Sequence, residues 1–383
     1  MLAKPESACF VIADISGYTG FLAGVELDHA PDIIADVMDT VVRCLRPPFR
    51  LAKFEGDAAF FYAVASKVDG SLLQDAIESA YFAFRRRLRS IAQATSCECK
   101  ACREMQNLDL KFVSHHGEFI KHRMGGREEL AGRDVILIHR LLKNTVNERL
   151  GDNAYALYTD GCVQAVGIDP VAQGLVLHQE SIDIMGNVKC WLRDLEAAWL
   201  KENDRQRSEV TRESAFAVIE LDIAAARQTV WEYFTVPGQR PKWRAADEVR
   251  EASETGRRGV GTTNHCMHGA HAIIEEVIDW RPFDYLTFTT LLPSPGAPKI
   301  MMTYAFSENA DEGTHIEIRV AKPKPKHKAW LEQVGAEFHA HITSEVATLR
   351  LILEAQAGAS ARVDEPSLPV SAKRFLTHPF NAH

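Results

Sequence analysis

Residues 8–18 read Ala-Cys-Phe-Val-Ile-Ala-Asp-Ile-Ser-Gly-Tyr, an unbroken apolar run that ends on Asp14 and then turns through Ser16-Gly17. Apolar residues without polar alternation mark a strand buried on both faces. A carboxylate is costly in such a core, so Asp14 marks the place where the strand leaves it. A strand end followed by glycine puts that carboxylate at a sheet edge, where ligands commonly bind.

A second carboxylate stands in an equivalent place. Residues 50–64, RLAKFEGDAAFFYAV, form two apolar runs around Gly56-Asp57 and predict a hairpin with Asp57 at its tip. Two such carboxylates brought together make a hard-oxygen site suited to Mg²⁺ and a phosphate; each can equally be an ordinary turn former. Around them, HAPDIIADVMDTVVRCL predicts a helix stopped by Pro47-Pro48. A longer helix is expected over Leu72–Ala94, with Arg85, Arg86, Arg87 and Arg89 near its end, where cations suit the helix dipole. LDLKFVSHHGEFI reads as a strand, KHRMGGREE as a turn, and GRDVILIHRLLKNTV as a helix. AYALYTDGCVQAVG and LVLHQESIDIMGNVKCWLRDL read as further strands and turns. On adjacent strand positions, His115 and His116 point to opposite faces. The pattern is that of a mixed α+β layer structure.

IADISGYT resembles the metal-binding strand of class III nucleotidyl cyclases, and KFEGD resembles their Lys-x-x-Gly-Asp hairpin. FVSHHGE and GRDVILIHRLL resemble that family's next strand and helix, in the same order across about residues 8–195. The resemblance implies a ferredoxin-like α/β sandwich and two-metal phosphoryl transfer, in which the 3′-hydroxyl of a nucleoside triphosphate attacks its own α-phosphate. It implies that Asp14 and Asp57, with the Ile15 carbonyl, bind Mg²⁺ or Mn²⁺, and that Lys53 and Glu129 read adenine, which makes ATP the nucleotide. Arg140 matches the arginine that stabilises charge at the α-phosphate. The family pairs head to tail, so a homodimer is expected.

Two positions depart from the pattern. Ile136 stands where the family has an asparagine, and an isoleucine donates no hydrogen bond. Met185 stands before Gly186 where the family has a phosphate-binding lysine, with Lys189 three residues beyond. Each lost preorganised polar group costs about 10²–10³ in rate. Two readings stay open: an adenylate cyclase making cyclic AMP, or a catalytically degenerate nucleotide-binding sensor and scaffold.

Cys97, Cys99 and Cys102 lie within six residues. They are candidate Zn²⁺ ligands, but a closed site needs four, the fourth being His115, His116 or Cys9. A redox pair at Cys99 and Cys102 or three unliganded thiols are the alternatives.

A polar stretch, KENDRQRSEVTRES, sets a boundary at about 200–213, giving a first domain over 1–200 and a second over 213–357. The second has a strand (FAVIELDI), a helix (AAARQTVWEYF), strands in period-two alternation, and a closing helix over Lys328–Ala355. Residues 358–383, rich in Ala, Ser and Pro, read as a disordered tail. The segment Ile219–Trp231, the turn at Trp243, the Gly259–Gly261 turn, EEVIDWRPFDYLTF and the closing helix together resemble the START-like (SRPBCC, polyketide cyclase) superfamily over about residues 214–355. That likeness implies a helix-grip antiparallel sheet enclosing a small apolar ligand. Trp243, His265, His268, Met301, Tyr304 and Phe338 are candidate lining residues, or simply core fillers. His265, His268 and His271 are spaced by three, which suits no single strand face and argues against a metal site.

The net charge of −8 gives no basic footprint for nucleic acid. No apolar run has membrane-spanning length, and the start lacks an export signal. A cytoplasmic protein with reduced thiols is the expectation. The combined reading is a nucleotide-binding signalling protein whose output is tuned by the C-terminal ligand. An enzyme acting through the C-terminal pocket is disfavoured, because no acid/base pair is positioned there.

Overall fold

The computed structural model describes residues 4–18, 21–22, 30–94, 100–151, 154–269, 271–291, 298–322 and 324–360. It is a mixed α+β structure built on two sheets. In the first sheet, β1 (Glu6–Ser16) lies between β3 (Ala58–Val64) and β4 (Asp109–Met124), antiparallel to both. The expected hairpin forms from β2 (Arg50–Glu55) and β3, with Gly56 turning at φ 67°. β5 (Arg127–Ala131) folds back on β4, so KHRMGGREE is part of a hairpin whose turn is Gly125-Gly126, both at positive φ. β6 (Tyr155–Thr159) runs parallel to β4, and β7 (Val176–Ile182) and β8 (Gly186–Asp194) complete the order β2-β3-β1-β4-β6-β8-β7.

β1 is buried on both faces, as its sequence requires. Cys9, Val11, Ala13 and Ile15 enter one core with α1 (Ala30–Leu45) and α2 (Gly70–Ala94). Ala8, Phe10 and Ile12 enter a second core on the opposite face. Phe10 packs between Phe60 and Phe119, with ring centroids 5.8 and 5.7 Å away. Truncating a fully buried phenylalanine of this kind to alanine costs about 3–5 kcal/mol.

The short helix α3 (Lys100–Glu104) precedes β4. GRDVILIHRLLKNTV is not one helix: α4 (Arg133–Arg140) stops, and α5 (Val146–Leu150) follows after a turn. DGCVQAV, expected in strands and turns, is the helix α6 (Asp160–Val166). Thr159 Oγ1 accepts from Cys162 N at its start, and Gly167 closes it at φ 73°.

The second sheet is antiparallel in the order β10-β11-β12-β13-β14-β15-β9. The polar stretch before it is no free linker. α7 (Leu195–Asp204) runs through KEND, and beyond it Ser208 N donates to Asp279 Oδ2 and Val210 N to Thr303 Oγ1, both at 2.8 Å. β9 (Ala215–Ile223), α8 (Arg227–Thr235), β10 (Glu248–Ala252), β11 (Thr263–His268), β12 (His271–Arg281), β13 (Tyr285–Leu291), β14 (Lys299–Glu308) and β15 (Thr314–Ala321) follow in turn. The closing helix α9 (Lys328–Ser360) packs along β9 and buries Ile342, Val346, Leu349 and Leu353 at helical spacing. Residues 361–383 of the expected tail lie outside the described residues.

The two sheets share one continuous apolar core. At its edge the turn Arg257-Arg258 reaches α2. Arg257 pairs with Asp75 and Glu78 at 2.8 Å, and Trp280 Nε1 donates to Asp75 Oδ2 at 3.1 Å. Burial pushes the Asp75 carboxyl up to about 6 despite Arg257. Burial also acts on Glu78, but Arg257 and Arg193 outweigh it and hold that carboxyl at about 2. Among the described residues no helix is long and apolar enough to cross a membrane.

Candidate functional site

Asp14 sits two residues from the end of β1, directly opposite Ala58 and directly opposite Lys111. Since register partners share a face, Asp14 and Lys111 both project on the side of the second core. The Lys111 ammonium lies 2.9 Å from Asp14 Oδ2, with the two side chains 19% and 15% exposed. Asp57 is fixed beside them: its carbonyl accepts from Ile15 N at 3.3 Å. Burial pushes the Asp57 carboxyl up and the Asp14 charge adds to this, while Lys111 pulls it down. The two aspartates are therefore close enough to feel one another. Ile15 lies between them with its side chain in the core. Two neighbouring carboxylates of this kind fit a hard divalent cation, and Lys111 is the competing positive charge.

The purine-reading residues expected from sequence also meet. Lys53 Nζ on β2 lies 2.8 Å from Glu55 Oε1 and 3.5 Å from Glu129 Oε2 on β5. Its hydrogen bond to Glu55 raises the lysine pKa, with Glu129 contributing. His139 Nε2 on α4 lies 3.0 Å from Glu55 Oε2, so β2, β5 and α4 converge on one polar patch.

α4 is held in place by a close backbone approach. Asp134 Oδ2 accepts from Glu118 N at 2.7 Å. A Cβ on Gly117 would sit 2.3 Å from the Asp134 Cβ, so only glycine fits. His115 is buried, its Nδ1 2.8 Å from Thr159 Oγ1; burial lowers its pKa against the pull of Asp134. One turn apart on the outer face of α4 stand Ile136, 53% exposed, and Arg140, exposed and donating to the Asp183 carbonyl at 3.2 Å. Met185 is partly buried at the same β7–β8 tip. Lys189 does not replace the missing lysine: it pairs with Asp160 at 3.0 Å and lies over the Trp191 ring.

Cys97 and Cys99 lie outside the described residues. Cys102 is buried in the first core, which turns its side chain among apolar neighbours. Cys9 is also buried there and lies beside Cys162, whose thiol is raised by its hydrogen bond to Cys9 and by burial. Among the described residues, three potential ligand side chains come together at Glu220, His315 and Glu317, but Arg212 is paired with both glutamates.

The space enclosed by the second sheet differs from the expected apolar pocket. Tyr304 packs edge to face with Phe234 and Phe288, and Trp243 lies tilted against Phe234, with ring centroids 4.8–4.9 Å apart. Among the described residues, a cavity of about 10 Å³ lies beside them, lined by Tyr304 together with Arg240, Glu251, Arg258, Asn264 and Glu275. That is room for about one water, and half its wall is polar. An apolar ligand would enter only if the aromatic cluster opened. Trp243 is a core residue beside this cavity, donating from Nε1 to the Tyr233 carbonyl at 2.8 Å. His265 is exposed because β11 turns Asn264 and Cys266 inward instead, and His268, on their face but at the end of the strand, is only partly buried. On β14 it is Met302, not Met301, that enters the core, and Phe338 is partly buried against it.

Residues 34–149 match a family described as "Protein of unknown function (DUF2652)". The chain is 40% identical over 113 residues to "Uncharacterized protein Rv2561/Rv2562" of Mycobacterium tuberculosis, covering 30% of this chain and 52% of the relative. The chain thus spans about half the length of that curated relative. Solved structures similar to it include a bacterial light-regulated adenylyl cyclase, with a TM-score of 0.38 and 13% identity over 51% of this chain and 53% of that one. Another is the adenylyl cyclase CyaB from P. aeruginosa, with a TM-score of 0.35 and 14% identity over 50% of this chain and 95% of that one.

Proposed function

We propose that this protein is a nucleotide-binding signalling protein, a cyclase-like sensor that holds ATP with a divalent cation and turns it over poorly or not at all. The observation that carries the reading is that Lys53 and Glu129, from strands far apart in sequence, come within 3.5 Å of one another. A lysine and a carboxylate placed together can accept from and donate to the edge of an adenine. Asp14 and Asp57 would hold the cation, with the Ile15 carbonyl assisting, and that cation would neutralise phosphate charge. Arg140, exposed on α4 and donating to the Asp183 carbonyl at the β7–β8 tip, would meet a phosphate.

Turnover is where the site falls short. Ile136 offers no hydrogen bond on the face it shares with Arg140, and Lys189 is committed to Asp160. An active adenylate cyclase remains the second reading because Asp14, Asp57 and Arg140 are all present. In either case the exposed face of α4 is completed by another copy, making a homodimer the expected assembly. The second sheet would sense or transmit through its buried contact with α2, and its apolar-ligand role requires the cavity beside Tyr304 to open.

Calorimetry with ATP and Mn²⁺ tests the reading. Binding by the wild type and its loss in Asp57→Ala support it; no binding by either ends it. Cyclic AMP formation above that of Asp14→Ala would move the protein to the second reading.

A further inference from the structure

A site built for two divalent ions has no use for an ammonium in contact with one of its carboxylates. An ammonium and a divalent ion about 4 Å apart repel by about 8 kcal/mol at the effective dielectric of a protein surface. Lys111 is nevertheless placed there by the fold. Its backbone is fixed directly opposite Asp14 by the β1–β4 register, and its stem is largely buried. Its Nζ lies 2.9 Å from Asp14 Oδ2, and the Ile15 N–Asp57 O hydrogen bond fixes Asp57 next to that strand end. This is not a solvated surface pair of negligible worth, since four-fifths of each side chain is covered.

We propose that Lys111 is a built-in cation of the Asp14–Asp57 site, standing in for one of two divalent ions, so that the site takes a single divalent cation with its nucleotide. The inference rests on the nucleotide-binding reading above. Charge balance supports it: two carboxylates carry two negative charges, and Lys111 answers one. The remaining charge, with the phosphates, suffices for one ion but leaves a second without donors of its own. Lysine suits this role because its ammonium is a compact point charge on a flexible stem. It can stay on Asp14 or turn toward a phosphate oxygen without moving the strand.

The full-length chain is saturated with α,β-methylene-ATP, which cannot release pyrophosphate by cyclisation, and bound Mn²⁺ is counted from the loss of the free-ion electron paramagnetic resonance signal. One Mn²⁺ per bound nucleotide is expected for the wild type and for Lys111→Arg, and two for Lys111→Met. Two in the wild type, or one in Lys111→Met, overturns the role of Lys111 while leaving nucleotide binding intact. Failure of all three proteins to bind the nucleotide overturns the underlying reading and the inference with it. Lys111→Arg keeps the charge on the same strand and identifies any loss in Lys111→Met that comes from misfolding.

Discussion

Arg258 holds Asp69 with one nitrogen shared between both carboxylate oxygens, at 2.7 and 2.8 Å, and so fastens the second sheet to the residue just before α2. Its backbone N donates to Ser71 Oγ at 2.9 Å in the same contact. Arg257 beside it engages Asp75 and Glu78. The two halves of the chain are therefore joined by a buried polar clamp as well as by a shared apolar core.

Removing one side of a buried ion pair strands the other, at a cost of about 3–5 kcal/mol. Arg257→Met is expected to lose about that much, because Asp75 stays buried without a guanidinium and Glu78 keeps only that of Arg193. Arg257→Lys should rescue little, since an ammonium cannot bridge two carboxylates as a planar fork does. Differential scanning calorimetry reads the outcome: one transition in the wild type, and an earlier or divided transition in the variants. An unchanged single transition in Arg257→Met would falsify the clamp.

The Lys53–Glu129 pair makes a prediction about base choice. A hydrogen bond to a charged group contributes about 1.5–3 kcal/mol, so Glu129→Ala should weaken ATP binding by roughly tenfold or more. GTP binding should change less, narrowing the preference for ATP. Competition between the two nucleotides, measured by calorimetry, checks this; equal losses for both would assign Glu129 to folding and not to the base.

Glu275 lies between Arg240 and Arg244, 2.5 and 2.7 Å from them. Burial alone would raise its carboxyl, but the two arginines win and hold it at about 2, below its ordinary value of 4.5. A carboxyl depressed in the folded state contributes stability that is present above its unfolded pKa and lost as pH falls through the folded one. The loss should fall between about pH 4.5 and 2 and amount to about 3 kcal/mol. Glu275→Gln is expected to be less stable at pH 7 and to show a flatter decline over that window. Urea unfolding at stepped pH measures both effects, and a wild-type slope retained in the variant would assign the acid sensitivity to other carboxylates.

Much of this was legible in the residues. The apolar run to Asp14, the KFEGD hairpin and the helical spacing of α1 and α2 each force one local structure, and these elements place Asp14 beside Asp57 and Lys53 near Glu129. Short elements were harder to see. α6 has only seven residues and opens on Asp-Gly, which looks like a turn, although Thr159 as its cap and Gly167 after it were signals of a helix. The Gly125-Gly126 pair likewise marked a hairpin turn. Lys111 had no local signal at all. In the sequence it is one polar residue in a strand, and only the β1–β4 register sets it against Asp14. Register depends on pairing between distant segments. The Arg257-Arg258 clamp was hidden for the same reason, in what reads as an ordinary glycine-flanked turn.

The clearest separation of scaffold from enzyme comes from restoring what is missing. Ile136 is exposed on the same face of α4 as Arg140, so Ile136→Asn replaces an apolar surface residue by a hydrogen-bond donor without touching the core. Met185 sits at the β7–β8 tip that Arg140 contacts through the Asp183 carbonyl, and Met185→Lys would bring a cation to that place. Each preorganised polar group is worth about 10²–10³ in rate. The double variant should therefore form cyclic AMP from ATP and Mn²⁺ at least about a hundredfold faster than the wild type, and adding Asp14→Ala should abolish the gain. Circular dichroism and the melting temperature confirm that the variants fold. If the double variant binds ATP as the wild type does yet produces no cyclic AMP, the missing groups are not what silences the site. The geometry about Asp14 and Lys111 then becomes the limiting feature.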